Sequence, residues 1–227
     1  MDIFNLIKII AAAITVVISF AVGIRVLLLN PSNLLNRWFT LFFISSSLGF
    51  LIYTGYHFIL NNSQIVILMM IIAQIFFNFI FISLMMTVFI LEKYQKVAMS
   101  PRYLGFMLTL FILMSVGYMI WIPTLNMARY ALGIVDTKTP IPWFITIIII
   151  RAMLAIYVVY KYALMSRKLE GEIRKRVQWF FIGVIFIISA LIIDLIGGAF
   201  DLILIEVLAL VSVDIATIAI FKGFLIK

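Results

Sequence analysis

The sequence contains a long apolar segment with one charge inside it, Trp143-Phe-Ile-Thr-Ile-Ile-Ile-Ile-Arg151-Ala-Met-Leu-Ala-Ile-Tyr-Val-Val-Tyr160. About 20 mainly apolar residues are enough for a helix to cross a bilayer. At roughly 1.5 Å per residue, Arg151 lies roughly 12–13 Å from the Trp143 end of such a helix. An unpaired arginine at that depth costs at least about 2.5–3.5 kcal/mol. We therefore expect the chain to supply a partner for Arg151, and the carboxyl groups in the next two apolar segments are the candidates: Asp194, Glu206 and Asp214.

The composition is that of a membrane protein. The chain has 227 residues, of which 66% are hydrophobic and 11% charged, whereas a soluble domain is nearer to half apolar and a quarter charged. Its mean hydropathy is +1.27. Without cysteine and with one histidine, the chain offers no disulfide, no thiolate site and no multi-histidine metal site. We expect no metal and no cofactor, and a lipid bilayer as the principal partner.

Seven segments qualify as spans, which predicts an all-α polytopic membrane protein with a single domain over residues 1–227. The first segment follows an acidic start, Met1-Asp2, and is longer than the apolar core of a signal peptide, so we interpret it as a permanent span. The predicted spans are Ile3–Leu29, Trp38–Leu60, Ile65–Leu91, Tyr103–Thr124, Trp143–Leu164, Val177–Phe200 and Leu202–Phe221.

The distribution of lysine and arginine predicts the orientation, because cytoplasmic loops carry the excess of positive charge. One side has only Lys8, Arg129 and Lys138. This bias predicts an outside N-terminus and a cytoplasmic C-terminus. Basic residues that lie between apolar segments do not indicate a nucleic-acid partner. The basic residues on the other side are Arg25, Arg37, Lys93, Lys96, Arg102, Lys161, Arg167, Lys168, Arg174, Lys175, Arg176, Lys222 and Lys227.

The charges inside the spans are the first candidate ligand-binding residues. Helical rise places Arg151, Asp194 and Glu206 in the outer half of the bilayer, while Asp214 lies near or past the midplane. One interpretation is an internal salt bridge that fixes helix packing. The other is a charged lining for a cavity that opens outward, because ionisable groups inside a membrane favour function.

Uncharged polar groups give further candidates. Gln74 and Asn78 are spaced i, i+4 and share one helical face, where amides serve either as packing contacts or as ligand contacts. Tyr53 and His57 lie toward the outer end of the second span. The histidine is either an interfacial group that reaches water or a ligand- or proton-sensing group. The small residues Ser45-Ser46-Ser47 and Gly49 indicate close helix packing.

A basic connection lies between the fifth and sixth spans, over Ser166–Arg176. It serves either as a positive-inside anchor near anionic lipid headgroups or as the docking surface for a cytoplasmic partner. The candidate partner-binding residues are Arg167, Lys168, Arg174, Lys175 and Arg176.

Enzyme motifs are absent from the sequence, which contains no His-Glu-x-x-His, Gly-x-Ser-x-Gly or glycine-rich phosphate loop. We therefore expect no catalytic activity. Seven spans are also typical of microbial rhodopsins, but the lysine that holds retinal near the middle of the last span is missing. Lys222 lies at the end of that span instead.

Two short stretches carry a resemblance to a known family. Asn30-Pro31-Ser32-Asn33-Leu-Leu-Asn36-Arg37-Trp38-Phe39 resembles the first inner loop of the seven-helix sensor region at the N-terminus of many prokaryotic histidine kinases. The stretch Arg174-Lys-Arg176-Val-Gln178, followed by Gly183, is similar to the start of that region's sixth span. The resemblance implies a signal-input domain. Since no kinase or cyclase domain follows in this sequence, it also implies a sensor that signals through a separate protein.

These observations favour a receptor- or sensor-like protein of a prokaryotic plasma membrane, with a pocket that opens outward between spans two, three, five, six and seven. The alternatives are a small-solute transporter or permease and an accessory subunit of a larger membrane assembly. A sensor predicts a pocket closed below, whereas a transporter predicts polar groups that continue to the inner side, where Asp214 and Thr217 lie. An accessory subunit predicts a large apolar flank.

Overall fold

The computed structural model describes residues 3–93, 98–200 and 202–226, without the side chains of residues 4, 5 and 199. Within these ranges the protein is all-α, and seven of its helices are long and apolar enough to cross a membrane. The predicted fold class is therefore confirmed. The helices are α1 (Ile3–Leu29), α2 (Leu34–Tyr56), α3 (Ser63–Glu92), α4 (Pro101–Ile120), the short α5 (Met127–Ala131), α6 (Ile141–Lys168), α7 (Gly171–Phe200) and α8 (Ile203–Leu225). Two short strands are β1 (Thr124–Leu125) and β2 (Thr137–Lys138).

Asparagine caps set the starts of two helices. The Asn33 side chain accepts from the Leu35 amide at 2.8 Å, so α2 begins a turn before the predicted Trp38. Asn62 accepts from the amides of Gln64 and Ile65, both at 3.1 Å, and starts α3. Such caps satisfy amide groups that have no partner inside the helix. Hydropathy misses these turns because their side chains are polar.

The basic connection between α6 and α7 is shorter than predicted. Its basic residues belong to the last turn of α6 and the first turns of α7, and Gly171 at φ 59° makes the reversal between the two helices. The predicted loop Ser166–Arg176 is therefore too long, and helix α7 begins before the predicted start of the sixth span at Val177. Long charged side chains do not prevent a helix from continuing past the apolar core.

Six of the long helices form a closed ring in the order α1, α2, α3, α6, α7 and α8, with α8 packed against α1. The remaining long helix, α4, packs mainly against α3 on the outside of the ring. Successive spans run in opposite directions, and the longest described connection, between α4 and α6, contains α5 and the two short strands. We call the end of the bundle at which α1 begins the N-terminal face, and the end at which α8 terminates the C-terminal face.

Side chains tie α1 to α2 along most of their length. The Asn36 amide donates to the Val26 carbonyl at 2.9 Å, the Thr40 hydroxyl to the Gly23 carbonyl at 3.2 Å and the Ser47 hydroxyl to the Val16 carbonyl at 3.0 Å. Gly49 allows close packing as well, since a Cβ there would lie 2.6 Å from the Phe77 ring. The packing role predicted for the serine run and Gly49 agrees with these contacts.

The half of the bundle next to the C-terminal face is tightly packed around an aromatic layer, which consists of Phe39, Phe180 and Phe224. The centroid of Phe39 lies 4.8 Å from that of Phe180 and 5.0 Å from that of Phe224. Thr87 and Tyr162 share a buried hydrogen bond of 2.6 Å that joins α3 to α6. We refer to this region as the packed half.

The N-terminal face carries a small hairpin between α4 and α6. Thr124 pairs with Lys138, and Leu125 with Thr137, in an antiparallel ladder. Tyr130 fastens this hairpin to the α2–α3 turn, because its hydroxyl donates to the Ile59 carbonyl at 3.1 Å and accepts from the Asn62 amide at 3.0 Å. The hairpin is therefore an ordered part of this face.

Candidate functional site

A cavity of about 280 Å³ lies inside the other half of the ring, next to the N-terminal face. Its volume is close to the lower end of the range for small-molecule sites. Residues from all six ring helices line it, so α1 contributes in addition to the five helices that the sequence indicated. We refer to this region as the cavity half. The polar residues on the wall are Lys8, Ser46, Tyr53, Gln74, Arg151, Asp194 and Glu206, and five phenylalanines also line it: Phe42, Phe50, Phe77, Phe81 and Phe144.

Arg151 reaches from α6 to α3 and is held there by neutral groups. Its Nε and Nη2 donate to Asn78 Oδ1 at 3.1 and 2.7 Å, and Nη2 also donates to Gln74 Oε1 at 2.9 Å. The Tyr118 hydroxyl donates to the same Gln74 oxygen at 3.0 Å. The Asn78 amide nitrogen donates in turn to the Met114 carbonyl at 3.0 Å. The guanidinium is thus fixed by a network that spans α3, α4 and α6.

The predicted pairing of Arg151 with Asp194 or Glu206 is wrong. Neither carboxylate forms an ion pair or a hydrogen bond with Arg151 within the part of the chain that the structure describes. The ring order explains the difference, because α3 lies beside α6 and its two amides, one turn apart, face the arginine. Neutral oxygen acceptors stabilise a guanidinium without neutralising its charge. The charge of Arg151 therefore stays uncompensated by its hydrogen-bond partners.

Lys8 and Glu206 form an ion pair across α1 and α8, and both line the cavity. The Lys8 ammonium also lies 5.4 Å from the centroid of the Tyr53 ring, within the range of a cation–π contact. Lys8 was predicted only as one of the outer charges and not as a site residue. Its position between Ile7 and Ile9 inside the first span was a signal, since a cation there needs a partner just as Arg151 does.

Asp194 is the carboxylate in the cavity that has no direct partner. It is exposed on the cavity wall and makes no hydrogen bond or ion pair with the residues whose positions are described. Gly198, one turn further along α7, is also exposed on the wall. The site therefore combines a fixed guanidinium and a free carboxylate on a largely aromatic background.

Three other polar candidates lie outside the cavity lining. Asn78 is fully buried behind Arg151 and acts on the site only by holding that side chain. Asp214 faces Thr15 of α1 and does not line the cavity. The His57 Nδ1 donates to the Tyr53 carbonyl at 2.8 Å, and its ring stacks on Tyr56. Burial lowers the pKa of His57 to about 4, so its imidazole is neutral near pH 7.

Comparisons with family models, with curated proteins and with solved structures find no match for this chain. The cavity and the C-terminal face are therefore the features of this protein that bear on its function. No group of three or more potential metal ligands occurs among the residues described.

The C-terminal face presents four of the five cations predicted to bind a partner. Arg167, Lys168, Arg174 and Lys175 are exposed there, although Lys175 is 3.0 Å from Glu172. Arg176 has a different position, since its Nη2 donates to the Ile226 carbonyl at 2.7 Å. The fifth predicted cation therefore fastens the end of α8 to the start of α7.

Proposed function

We propose that this protein is a non-catalytic, receptor- or sensor-like membrane protein that binds a small ligand in the cavity half and signals through a separate partner at the C-terminal face. The main observation in support of the proposal is the layer of buried side chains between the cavity and the C-terminal face. The proposal also includes a prokaryotic plasma membrane as its location and the orientation predicted by the basic residues, with the cavity facing outward.

The cavity wall reaches about the middle of the bundle, where Phe42 and Phe81 line it together with residues of α7 and α8. Val213 and Ile187 line it and lie roughly 15–20 Å along their helices from the N-terminal face. Below them, Val184, Phe180 and Phe39 are fully buried. A bound solute therefore meets closely packed side chains before it reaches the C-terminal face.

The transporter alternative is less well supported by this arrangement. A pathway requires polar groups or a continuous opening below the binding site, and Asp214 and Thr217 were the candidates. Asp214 faces α1 and Thr217 is buried, and neither lines the cavity. A cavity with closely packed side chains below it fits a receptor better than a pathway across the membrane.

The same two helices that hold the acidic cavity residues also reach the C-terminal face. Asp194 on α7 and Glu206 on α8 line the cavity. At the C-terminal face, Arg176 joins the start of α7 to the end of α8. The helices are in close contact between those points, since a Cβ on Gly183 would lie 2.4 Å from Ile220 and 3.0 Å from the Ala216 carbonyl. A ligand that moves α7 and α8 relative to the other four ring helices would thereby change the surface around Arg174 and Lys175. An acidic partner would bind at this surface.

Single-cysteine labelling tests the proposal, because the chain has no native cysteine. Ala190→Cys places a thiol on the cavity wall, and a membrane-impermeant thiol reagent is applied to one face of the membrane at a time. Leu132→Cys and Lys168→Cys, on exposed residues at opposite faces, serve as controls that show which face each reagent reaches.

A receptor predicts that Ala190→Cys reacts only from the face that labels Leu132→Cys. Reaction from both faces would show alternating access, which is the property of a transporter, and would overturn the proposal. Ala155→Cys, at a fully buried position that does not line the cavity, should react from neither face.

A further inference from the structure

We infer that the ligand of this cavity is a small zwitterion with an apolar body, whose anionic group binds Arg151 and whose cationic group binds Asp194. The inference rests on the proposed binding role of the cavity and specifies the chemical class of its ligand.

Arg151 offers the anion site. Its Nε and Nη2 donate to protein oxygens, whereas Nη1 donates to none of the residues in the described ranges. The residue is only 8% exposed and lines the cavity. A guanidinium that is already oriented and largely shielded from water binds a carboxylate or phosphate oxygen strongly, because both the entropic cost and the competition from water are reduced.

Asp194 offers the cation site. Its carboxylate lines the same cavity and has no partner within residues 3–93, 98–200 and 202–226. Lys8 does not compete for it, since the Lys8 ammonium is paired with Glu206. An ammonium group of a ligand can therefore reach Asp194 without displacing an existing interaction.

The charge balance favours a zwitterion over an ion of one sign. The charged wall residues are two cations, Lys8 and Arg151, and two carboxylates, Asp194 and Glu206. A ligand with a single charge would satisfy one free group and leave the other uncompensated in surroundings of low polarity, which is unfavourable. A zwitterion satisfies both free groups and leaves the total charge of the site unchanged.

The remaining wall sets the size and character of the ligand. Five phenylalanines line the cavity, and its volume of about 280 Å³ admits a molecule of amino-acid size. Aromatic faces also stabilise an ammonium group close to them. Free amino acids and ω-amino acids with apolar bodies meet these requirements.

The experiment uses probes that differ only in charge. One set is phenylalanine, hydrocinnamate and phenethylamine, which share a phenyl body. A second set consists of the ω-amino acids from glycine to aminohexanoate, each with its matched carboxylate and matched amine. This set varies the distance between the ammonium and carboxylate groups. Binding to the purified protein in nanodiscs is measured by titration calorimetry, with the shift in melting temperature as a second readout.

The inference predicts that at least one zwitterion binds and raises the melting temperature, while its matched carboxylate and amine bind at least about 10-fold more weakly, as expected for the loss of one charge-assisted hydrogen bond. Asp194→Asn should weaken binding of that zwitterion about 10- to 100-fold and leave binding of the carboxylate unchanged. Because Asp194 has no partner among the residues that the structure describes, this variant should fold. Asp214→Asn, outside the cavity, is the matched control and should leave binding unchanged.

Equal affinity for a zwitterion and its carboxylate would overturn the inference, and so would a zwitterion whose affinity does not change in Asp194→Asn. If no probe of any charge class binds, the ligand class is wrong as well. In each of these cases the labelling of Ala190→Cys from the two faces still decides the proposed function independently.

Discussion

The two halves of the bundle are built from the same helices but use polar side chains differently. In the packed half, Thr40, Asn36 and Tyr162 bond to protein groups, and the aromatic layer fills the centre. In the cavity half, Arg151 and Asp194 face an opening and retain capacity to bind other groups. The comparison indicates that polar residues hold helices together in both halves, whereas in the cavity half Arg151 and Asp194 also remain available to a ligand.

The strongest test of this difference removes part of the aromatic layer. Phe39 is fully buried against Phe180 and Phe224, so Phe39→Ala should destabilise the protein by about 3–5 kcal/mol through lost contacts and a new cavity. Thermal unfolding in nanodiscs measures the loss. Phe106→Ala, at a position that is 60% exposed on α4, is the control and should change stability little. Equal losses in the two variants would show that the half is not tightly packed.

The next largest effect is expected in the network around Arg151. Asn78→Leu removes the acceptor of two Arg151 hydrogen bonds and should cost about 1.5–3 kcal/mol, the value of a hydrogen bond to a charged group. Arg151→Met should also destabilise the protein, because Asn78 and Gln74 lose their buried donor. The double variant should recover part of the loss, since the two residues act on each other, and additive losses would contradict the network.

Two neighbouring arginines at the C-terminal face provide a matched pair of smaller effects. Arg176 donates to the Ile226 carbonyl, so Arg176→Ala should lower stability by about 1 kcal/mol. Arg174 is exposed, so Arg174→Ala should change stability by less than about 0.5 kcal/mol. Thermal unfolding of both variants tests the structural role of Arg176. A larger loss of stability in Arg174→Ala than in Arg176→Ala would contradict that role.

The smallest effect concerns His57 and pH. Burial lowers its pKa from 6.5 to about 4, so the folded protein binds this proton less readily than the unfolded chain does. Stability should therefore fall as the pH drops below 6.5, and His57→Gln should make that fall shallower. The melting temperatures of the two proteins should run parallel above pH 7. A difference that grows above pH 7 would contradict the lowered pKa.

Much of the fold could be predicted from the sequence, because length and hydropathy define a span with little help from tertiary structure. The seven spans and the close packing at Gly49 follow from such local signals. A cavity lined by Arg151, Asp194 and Glu206 was one of the two interpretations that the sequence left open. Helix starts were less predictable. The Asn33 cap and the charged first turns of α7 lie outside the apolar core that hydropathy detects.

The partners of the charges could not be predicted, because pairing depends on which helices are neighbours in the ring. Depth alone made Asp194 and Glu206 the best partners for Arg151, whereas the order of the helices places α3 beside α6 and α1 beside α8. Arg151 consequently meets Gln74 and Asn78, and Glu206 meets Lys8. The amide pair with i, i+4 spacing was visible in the sequence, but nothing in the sequence linked it to the arginine.

Depth-resolved labelling along α7 tests the central claim, which is that the cavity ends between Ile187 and Val184. Single cysteines at Asp194, Ala190, Ile187 and Val184 follow one face of this helix from the cavity half into the packed half. The reaction rate with a membrane-impermeant thiol reagent is measured for each position. We predict measurable reaction at the first three positions, from the N-terminal face only, and none at Val184 from either face. Reaction at Val184, or rates that rise toward the C-terminal face, would contradict the account.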